Sequence, residues 1–286
     1  MSKAHEKIAE LVRRIDVIIE VIDARLPVSS ANHLLAELRR NKPLIKVMNK
    51  NDLADPPVTK AWVRFFEQQD GVRALPLSAK NHREVLQLPK LCLRLAPSRG
   101  MRGRPLRAMV VGIPNVGKST LINTLAGKSM AKVGDKPAIT TGIQQIDLRN
   151  GIVLSDTPGL LWPVMSDQLA AYRLATTGAI GANALDYHTV GLFAAEFMLR
   201  RYQEQVMDRY QFTDLPEHAD DLLEQVGRRL GCLMAGGGVD AQRASEAFLR
   251  ELRAGKMGRV SFEEPEPTSV PTDAEKGEET TEAAAP

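Results

Sequence analysis

From Gly112 to Ser119 the chain reads Gly-Ile-Pro-Asn-Val-Gly-Lys-Ser, a G-x-x-x-x-G-K-[ST] spacing whose chemistry is the holding of phosphate. Gly112 and Gly117 let the backbone turn its N–H groups inward, and a helix N-terminus adds positive potential. Asn115, Val116, Gly117, Lys118, Ser119 and Thr120 would form the cradle for a polyphosphate. Lys118 is placed for the β- and γ-phosphate oxygens, a catalytic as well as a binding role, and the Ser119 hydroxyl for Mg2+. A chance lysine in a glycine-containing loop is the alternative. The flanks weigh against it: Met109-Val110-Val111 has the pattern of a buried strand, and Thr120 to Leu125 has helical apolar spacing.

Three further stretches carry complementary chemistry. Asn49-Lys50-Asn51-Asp52 closes the apolar run Pro43–Met48. Guanine presents an N1–H and an exocyclic amine as paired donors, and the Asp52 carboxylate can accept both. Adenine lacks that pair and would leave the carboxylate unsatisfied. Asn49 would bind the base and tie this loop to the phosphate loop, and the Lys50 stem would lie over the ring. Ser78-Ala79-Lys80 follows a third apolar run, 29 residues after Asn49, where a backbone N–H can reach the guanine O6. Alone, each of these motifs is weak. The third stretch lies beyond the phosphate loop. Thr140, in the polar segment 131–145, is expected as a second Mg2+ ligand and sensor of the γ-phosphate. Asp156 would hold the metal through water, and the Gly159 N–H would touch the γ-phosphate.

The elements needed to position these loops are legible in the pattern. Helices are expected over 5–14, 31–40, 59–69 and 82–98, with strands at 16–23, 43–48, 72–77, 109–111 and 152–154. Trp62, Phe65 and Phe66 read as core packing. Beyond residue 166 the pattern is helical only, near 166–182, 191–207, 219–230 and 239–254. The predicted organisation is a GTP-binding domain over 1–172, a small all-α domain over 173–262, and a disordered acidic tail over 263–286.

Composition narrows the setting. At 43% apolar the chain can bury a proper core, and no apolar run is long enough to span a membrane. The first residues are charged and lack a signal peptide's apolar stretch. Cys92 and Cys232 stand alone, without metal or disulfide spacing. A cytoplasmic protein is expected. The net charge of +3 is uneven: residues 263–286 hold eight acidic side chains and one lysine, whereas 83–107 hold seven basic side chains against Glu84 alone. That basic run reads either as a contact for a large polyanion or as an ordinary solvated helix.

Base recognition here precedes phosphate recognition, the reverse of the usual order. Cutting a doubly wound sheet elsewhere and joining its ends preserves the packing, so the fold class is α/β, a circularly permuted P-loop GTPase with a small all-α C-terminal domain. The sequence resembles the circularly permuted GTPases of the YlqF type, the ribosome biogenesis GTPase A family. DARLPVSS (23–30), MNKNDLAD (48–55), GIPNVGKSTLIN (112–123), DTPGLLWP (156–163), GGGVDAQRA (236–244) and RAGKMGRVSFEEP (253–265) carry the likeness. It implies GTP hydrolysis with GTP/GDP and Mg2+, a role in late assembly of the large (50S) ribosomal subunit, and contact with its rRNA. A monomer in contact with no membrane is expected.

Departures bear on hydrolysis. Members of the family carry a Pro-Gly-His segment before the Met-x-Lys-Ala that opens this sequence, and its histidine is their candidate for orienting the attacking water. It is absent before Met1, and His5 reads as a surface residue. Leu160 stands where Ras-like enzymes have a water-aligning glutamine. Hydrolysis is therefore expected to be slow alone and stimulated by the subunit. The alternative is a GTP/GDP-dependent RNA-docking module with negligible turnover. Ala138, where glycine is common, is expected to matter little. Asn115 resembles the asparagine of potassium-stimulated GTPases and would hold K+, with a loop asparagine that merely caps a turn as the alternative. Arg243, Arg250, Arg253, Lys256 and Arg259 form a basic end, which the resemblance assigns to ribosomal RNA.

Overall fold

The computed structural model describes residues 10–32, 34–101, 103–127, 144–156, 167–180 and 186–266. Five apolar runs form parallel strands: β1 (Val17–Asp23), β2 (Leu44–Asn49), β3 (Val72–Pro76), β4 (Leu106–Val111) and β6 (Ile152–Asp156). β5 (Gln144–Asp147) joins the edge antiparallel to β6. The sheet order is β3-β2-β1-β4-β6-β5. From β1 the chain steps outward one way through β2 and β3, and from β4 the other way. The switch point therefore lies between β1 and β4, where an open α/β sheet leaves a crevice at the strands' carboxyl ends.

Both faces of the sheet are covered. α1 (Leu34–Leu38) and α2 (Pro56–Glu67) belong to one side, where Leu35, Trp62 and Phe66 pack with Ile18, Ile22 and Met48. α3 (His82–Val85), α4 (Gln87–Leu95) and α5 (Lys118–Ala126) serve the other. β1 is buried at every position, including Glu20. That carboxylate is not left bare, since it accepts from the Lys46 ammonium at 2.6 Å and the Asn32 N–H at 2.7 Å. The helix expected over 82–98 breaks at Leu86 and ends at Leu95. The one expected over 31–40 is shorter, and Arg40 just beyond it has a φ of 51°.

The remaining helices are α6 (Gln168–Thr177), α7 (Tyr187–Arg201), α8 (Gln203–Tyr210), α9 (Ala219–Arg229) and α10 (Ala241–Arg253). The single helix expected near 191–207 starts earlier, where the Asp186 carboxylate caps Thr189 N–H, and breaks at Tyr202. At that break the Tyr202 hydroxyl donates to the Asp55 carboxylate at 3.2 Å and accepts from the Ser261 N–H at 2.9 Å. The boundary expected at 172/173 falls inside α6, and one apolar core runs from Val17 and Val110 through Leu174, Ala194 and Phe248. At the other end, ordered chain continues past 262. Glu263 is buried, because its carboxylate accepts from the Val28 and Ser29 N–H groups and from the Ser29 hydroxyl. Thr140, Thr141, Gly159, Leu160, Ala138, His5 and residues 267–286 lie outside the described residues.

Candidate nucleotide-binding site

The carboxyl ends of β1, β2, β3, β4 and β6 bring the sequence motifs to one edge of the sheet. β4 runs into the phosphate loop, and α5 starts at Lys118 directly behind Gly117. Gly117 has a φ of 100°, and a Cβ there would lie 2.2 Å from the Asn49 side-chain nitrogen. Gly112 (φ 149°) is as constrained, since a Cβ would lie 2.4 Å from the Val21 carbonyl oxygen. Both glycines are required by close approach as well as by conformation. Lys118 donates to the Gly112 and Ile113 carbonyls at 2.8 Å each, so its ammonium bridges the mouth of the loop. Burial pushes the Lys118 pKa down to about 8, opposed by the Asp156 carboxylate.

Asn49 joins three loops. Its Nδ2 donates to the Val116 carbonyl at 2.6 Å, and its Oδ1 accepts from the Ala79 N–H at 2.8 Å. The expected tie to the phosphate loop is present, and a second tie reaches the Ser78–Lys80 loop. That second tie narrows which backbone donor can face the base. Ser78 N–H goes to the Glu84 carboxylate and Ala79 N–H to Asn49, so among the described residues Lys80 N–H is the one of the three without a partner. Asn49→Ala would strand the Ala79 N–H and the Val116 carbonyl, at a cost of about 2 kcal/mol. We expect GDP affinity to fall roughly 30-fold, measured by titration calorimetry with the melting temperature as control.

Asn49, Lys50, Asp52, Ser78, Ala79, Lys80, Asn115, Gly117 and Thr120 line one cleft of about 250 Å3. Asp52 is exposed, on the short 3-10 turn after Lys50. Lys50 sits in the left-handed region (φ 59°), and its ammonium reaches the Asp23 carboxylate at 2.9 Å. Val116 is buried behind the phosphate loop. Ser119 lies in the first turn of α5, and Asp156 ends β6 beside Val110 of β4. A hydroxyl and a carboxylate at the ends of neighbouring elements are the hard oxygen donors that Mg2+ takes. Asn115 (φ 58°) donates from Nδ2 to the Ala179 carbonyl at 3.4 Å, which links the phosphate loop to the end of α6.

The same cleft is also lined by Arg25, Thr177 and Arg253, to which the sequence reading gave no place at the nucleotide. Arg25 holds Asp23 in two bonds, Nε to Oδ1 at 3.0 Å and Nη2 to Oδ2 at 2.8 Å, with both side chains fully buried. Burial by itself would raise the Asp23 carboxyl. Arg25 and then Lys50 hold it well below the usual carboxylate range. Arg25 also donates to the Thr177 carbonyl at 3.3 Å, and Arg253 to those of Ala175 and Thr176 at 2.7 and 3.1 Å. Two guanidiniums thus sit on the carbonyls that end α6, where cations are favoured. The signal available in the sequence was a charged Asp-x-Arg at the end of a strand whose other residues, Glu20 apart, are apolar.

Residues 107–217 match a family model described as "50S ribosome-binding GTPase". Ribosome biogenesis GTPase A of Bacillus cereus is 43% identical over 273 residues, covering 93% of this chain and 92% of that protein. The chain belongs to the ribosome biogenesis GTPase A family. The Thermotoga maritima member is 36% identical over 93% of this chain and 92% of its own. The crystal structure of GNP-bound YlqF from T. maritima superposes with a TM-score of 0.65 at 31% identity, over 93% of this chain and 99% of that one. As a member of this ribosome biogenesis GTPase A family, the protein is a GTPase and binds guanine nucleotide. The matched GTPase segment begins at the phosphate-loop strand, with Asn49–Asp52 and Ser78–Lys80 ahead of it in the chain. The permuted order thus still brings these stretches to one edge of the sheet.

Proposed function

We propose that this GTPase acts in late assembly of the large ribosomal subunit, docking with GTP and leaving after hydrolysis. The observation that supports this reading most is that the nucleotide cleft is shared. Arg253 from the last helix and Thr177 from the end of α6 line the same cleft as Asp52 and Gly117. A helical part built onto the nucleotide site can answer to what occupies it.

In this reading Asp52 accepts the guanine N1–H and amine, Lys50 covers the ring, and the Ser78–Lys80 loop meets O6. Gly117 and Lys118 hold the phosphates, with Asn115, Val116, Ser119 and Thr120 completing the cradle. Ser119 and Asp156 would hold Mg2+, joined by Thr140, and the ion would supply charge neutralisation at the β- and γ-phosphates. Gly159 would sense the γ-phosphate. Asn115 would be the K+ ligand. The basic end of α10 would face ribosomal RNA, and the cytoplasm is where such a partner is met. Among the described residues no helix is long and apolar enough to cross a membrane.

The test is GTP turnover in KCl with and without purified large ribosomal subunits. Strong stimulation by the subunit is the expected result. Tight GTP binding with no stimulation would replace the switch by a docking module of negligible turnover.

A further inference from the structure

The basic run between residues 83 and 107 takes no part in the nucleotide site, and the fold gives it a definite shape. α3 and α4 are separated only by Leu86, itself in right-handed helical conformation. At about 100° per residue, Arg83, Gln87, Lys90 and Arg94 fall within one arc of roughly 60°. All four are exposed, while Val85, Leu88 and Cys92 on the opposite side are buried. From Arg83 to Arg94 the row is about 16 Å long. The exposed Arg99, Arg104 and Arg107 continue it, around a tight turn in which Arg104 N–H bonds to the Met101 carbonyl at 2.9 Å.

Ion pairs leave this surface unbalanced, as they do several cations elsewhere, Arg64, Arg200 and Arg250 among them, although those do not form such a row. Arg25, Arg173, Arg201, Arg209 and Arg228 each face a carboxylate. Among the described residues, the side chains of Arg83, Lys90, Arg94, Arg104 and Arg107 enter no ion pair, and only Arg99 has one, with Asp16. Glu84 is the one carboxylate within the row, and it turns to Ser78 N–H and Asn81 Nδ2, at 2.6 Å each, without pairing with any of these cations. Like charges at helical spacing repel, so the row costs stability alone and gains when a polyanion supplies the missing charge.

We infer that the α3–α4 row and the turn after it form a second RNA-docking surface, on the GTPase part, that grips the phosphate backbone without reading sequence. The inference rests on the ribosomal reading above and adds to it a face far in sequence from the basic end of α10. RNA fits better than an acidic protein. The four side chains of the arc are polar, and the exposed apolar side chains of this surface are Leu86 between the helices and Met101 in the turn, one at each place rather than the apolar centre that protein interfaces concentrate. Its cations are mostly arginine, whose fork matches phosphate.

The experiment uses the full chain and Lys90→Glu/Arg94→Glu, with Lys90→Gln/Arg94→Gln as the milder pair. Binding to duplex poly(I)·poly(C) and to purified large ribosomal subunits is measured over a series of KCl concentrations. Loss of two phosphate contacts should lower the salt slope by about 1.4–1.8 and the affinity at least roughly tenfold. GDP affinity should stay at the wild-type value and the melting temperature should not fall, since these side chains are exposed, repel one another and line no part of the cleft. Wild-type binding with an unchanged slope and affinity in both variants overturns the inference while leaving the ribosomal reading standing. Weakening on subunits but not on RNA overturns it in favour of a protein contact. A wild-type chain that binds neither probe sinks the ribosomal reading itself.

Discussion

Asp52→Asn should lower GTP and GDP affinity by about two to four orders of magnitude while leaving the fold untouched. In the proposed site the carboxylate would accept two donors of the guanine edge, and each charge-assisted bond contributes about 1.5–3 kcal/mol. Asparagine keeps one acceptor and turns the other position into a donor, which then faces the exocyclic amine. The same change suits xanthine, which carries a carbonyl where guanine has that amine, so XDP affinity should rise as GDP affinity falls. Asp52 is exposed on a 3-10 turn, so the melting temperature should not move. Titration of the variant with GDP and XDP decides the matter. Unchanged GDP affinity would remove Asp52 from the base site, and a lowered melting temperature would show that the side chain holds the loop instead.

What could be read in the sequence follows from what each group has to do. Phosphate binding needs glycines, an inward backbone and a lysine at fixed spacing, so Gly112 to Ser119 announces itself, and β-branched runs such as Val17–Asp23 mark buried strands. A doubly wound sheet follows once the permuted motifs must share one edge, whereas the antiparallel edge strand β5 left no such mark. What escaped are contacts between positions far apart in the chain. Glu263 reads as the start of an acidic tail, yet it closes on Val28 and Ser29, while the neighbouring Val260 and Phe262 N–H groups bond to the Leu53 and Arg25 carbonyls at 2.9 and 2.7 Å. Arg253 reads as one of several surface cations but ends α6. Local pattern sets an element's type. It does not say which distant carbonyl will lie within reach of a long side chain. Asn49 was legible because its motif names a partner, and its second bond to Ala79 was not.

Asp23→Ala is expected to be the most destabilising single change at the site, by about 3–5 kcal/mol, because it strands a buried guanidinium. Asp23 is fully buried and Arg25 only 1% exposed, and Arg25 Nη1 has no partner among the described residues even with Asp23 in place. A pair so incompletely satisfied is not explained by stability alone. Exchanging both side chains for apolar ones should therefore cost much less: Asp23→Ala with Arg25→Met should recover most of the loss seen in Asp23→Ala, as read by urea unfolding. Nucleotide binding should not recover with it. Asp23 also holds the Lys50 ammonium, and Arg25 also holds the Thr177 carbonyl, so the double variant should fold yet bind GDP weakly. Acid provides the independent check. A carboxylate held below its unfolded pKa of about 3.9 contributes stability that is whole at neutral pH and drains away as pH falls from about 5. The gap in unfolding free energy between wild type and Asp23→Ala should therefore be widest near neutrality and narrow toward acid. A gap that stays constant with pH would mean that Asp23 acts through packing alone, and Lys50 would then owe its place in the cleft to the left-handed turn of its own backbone.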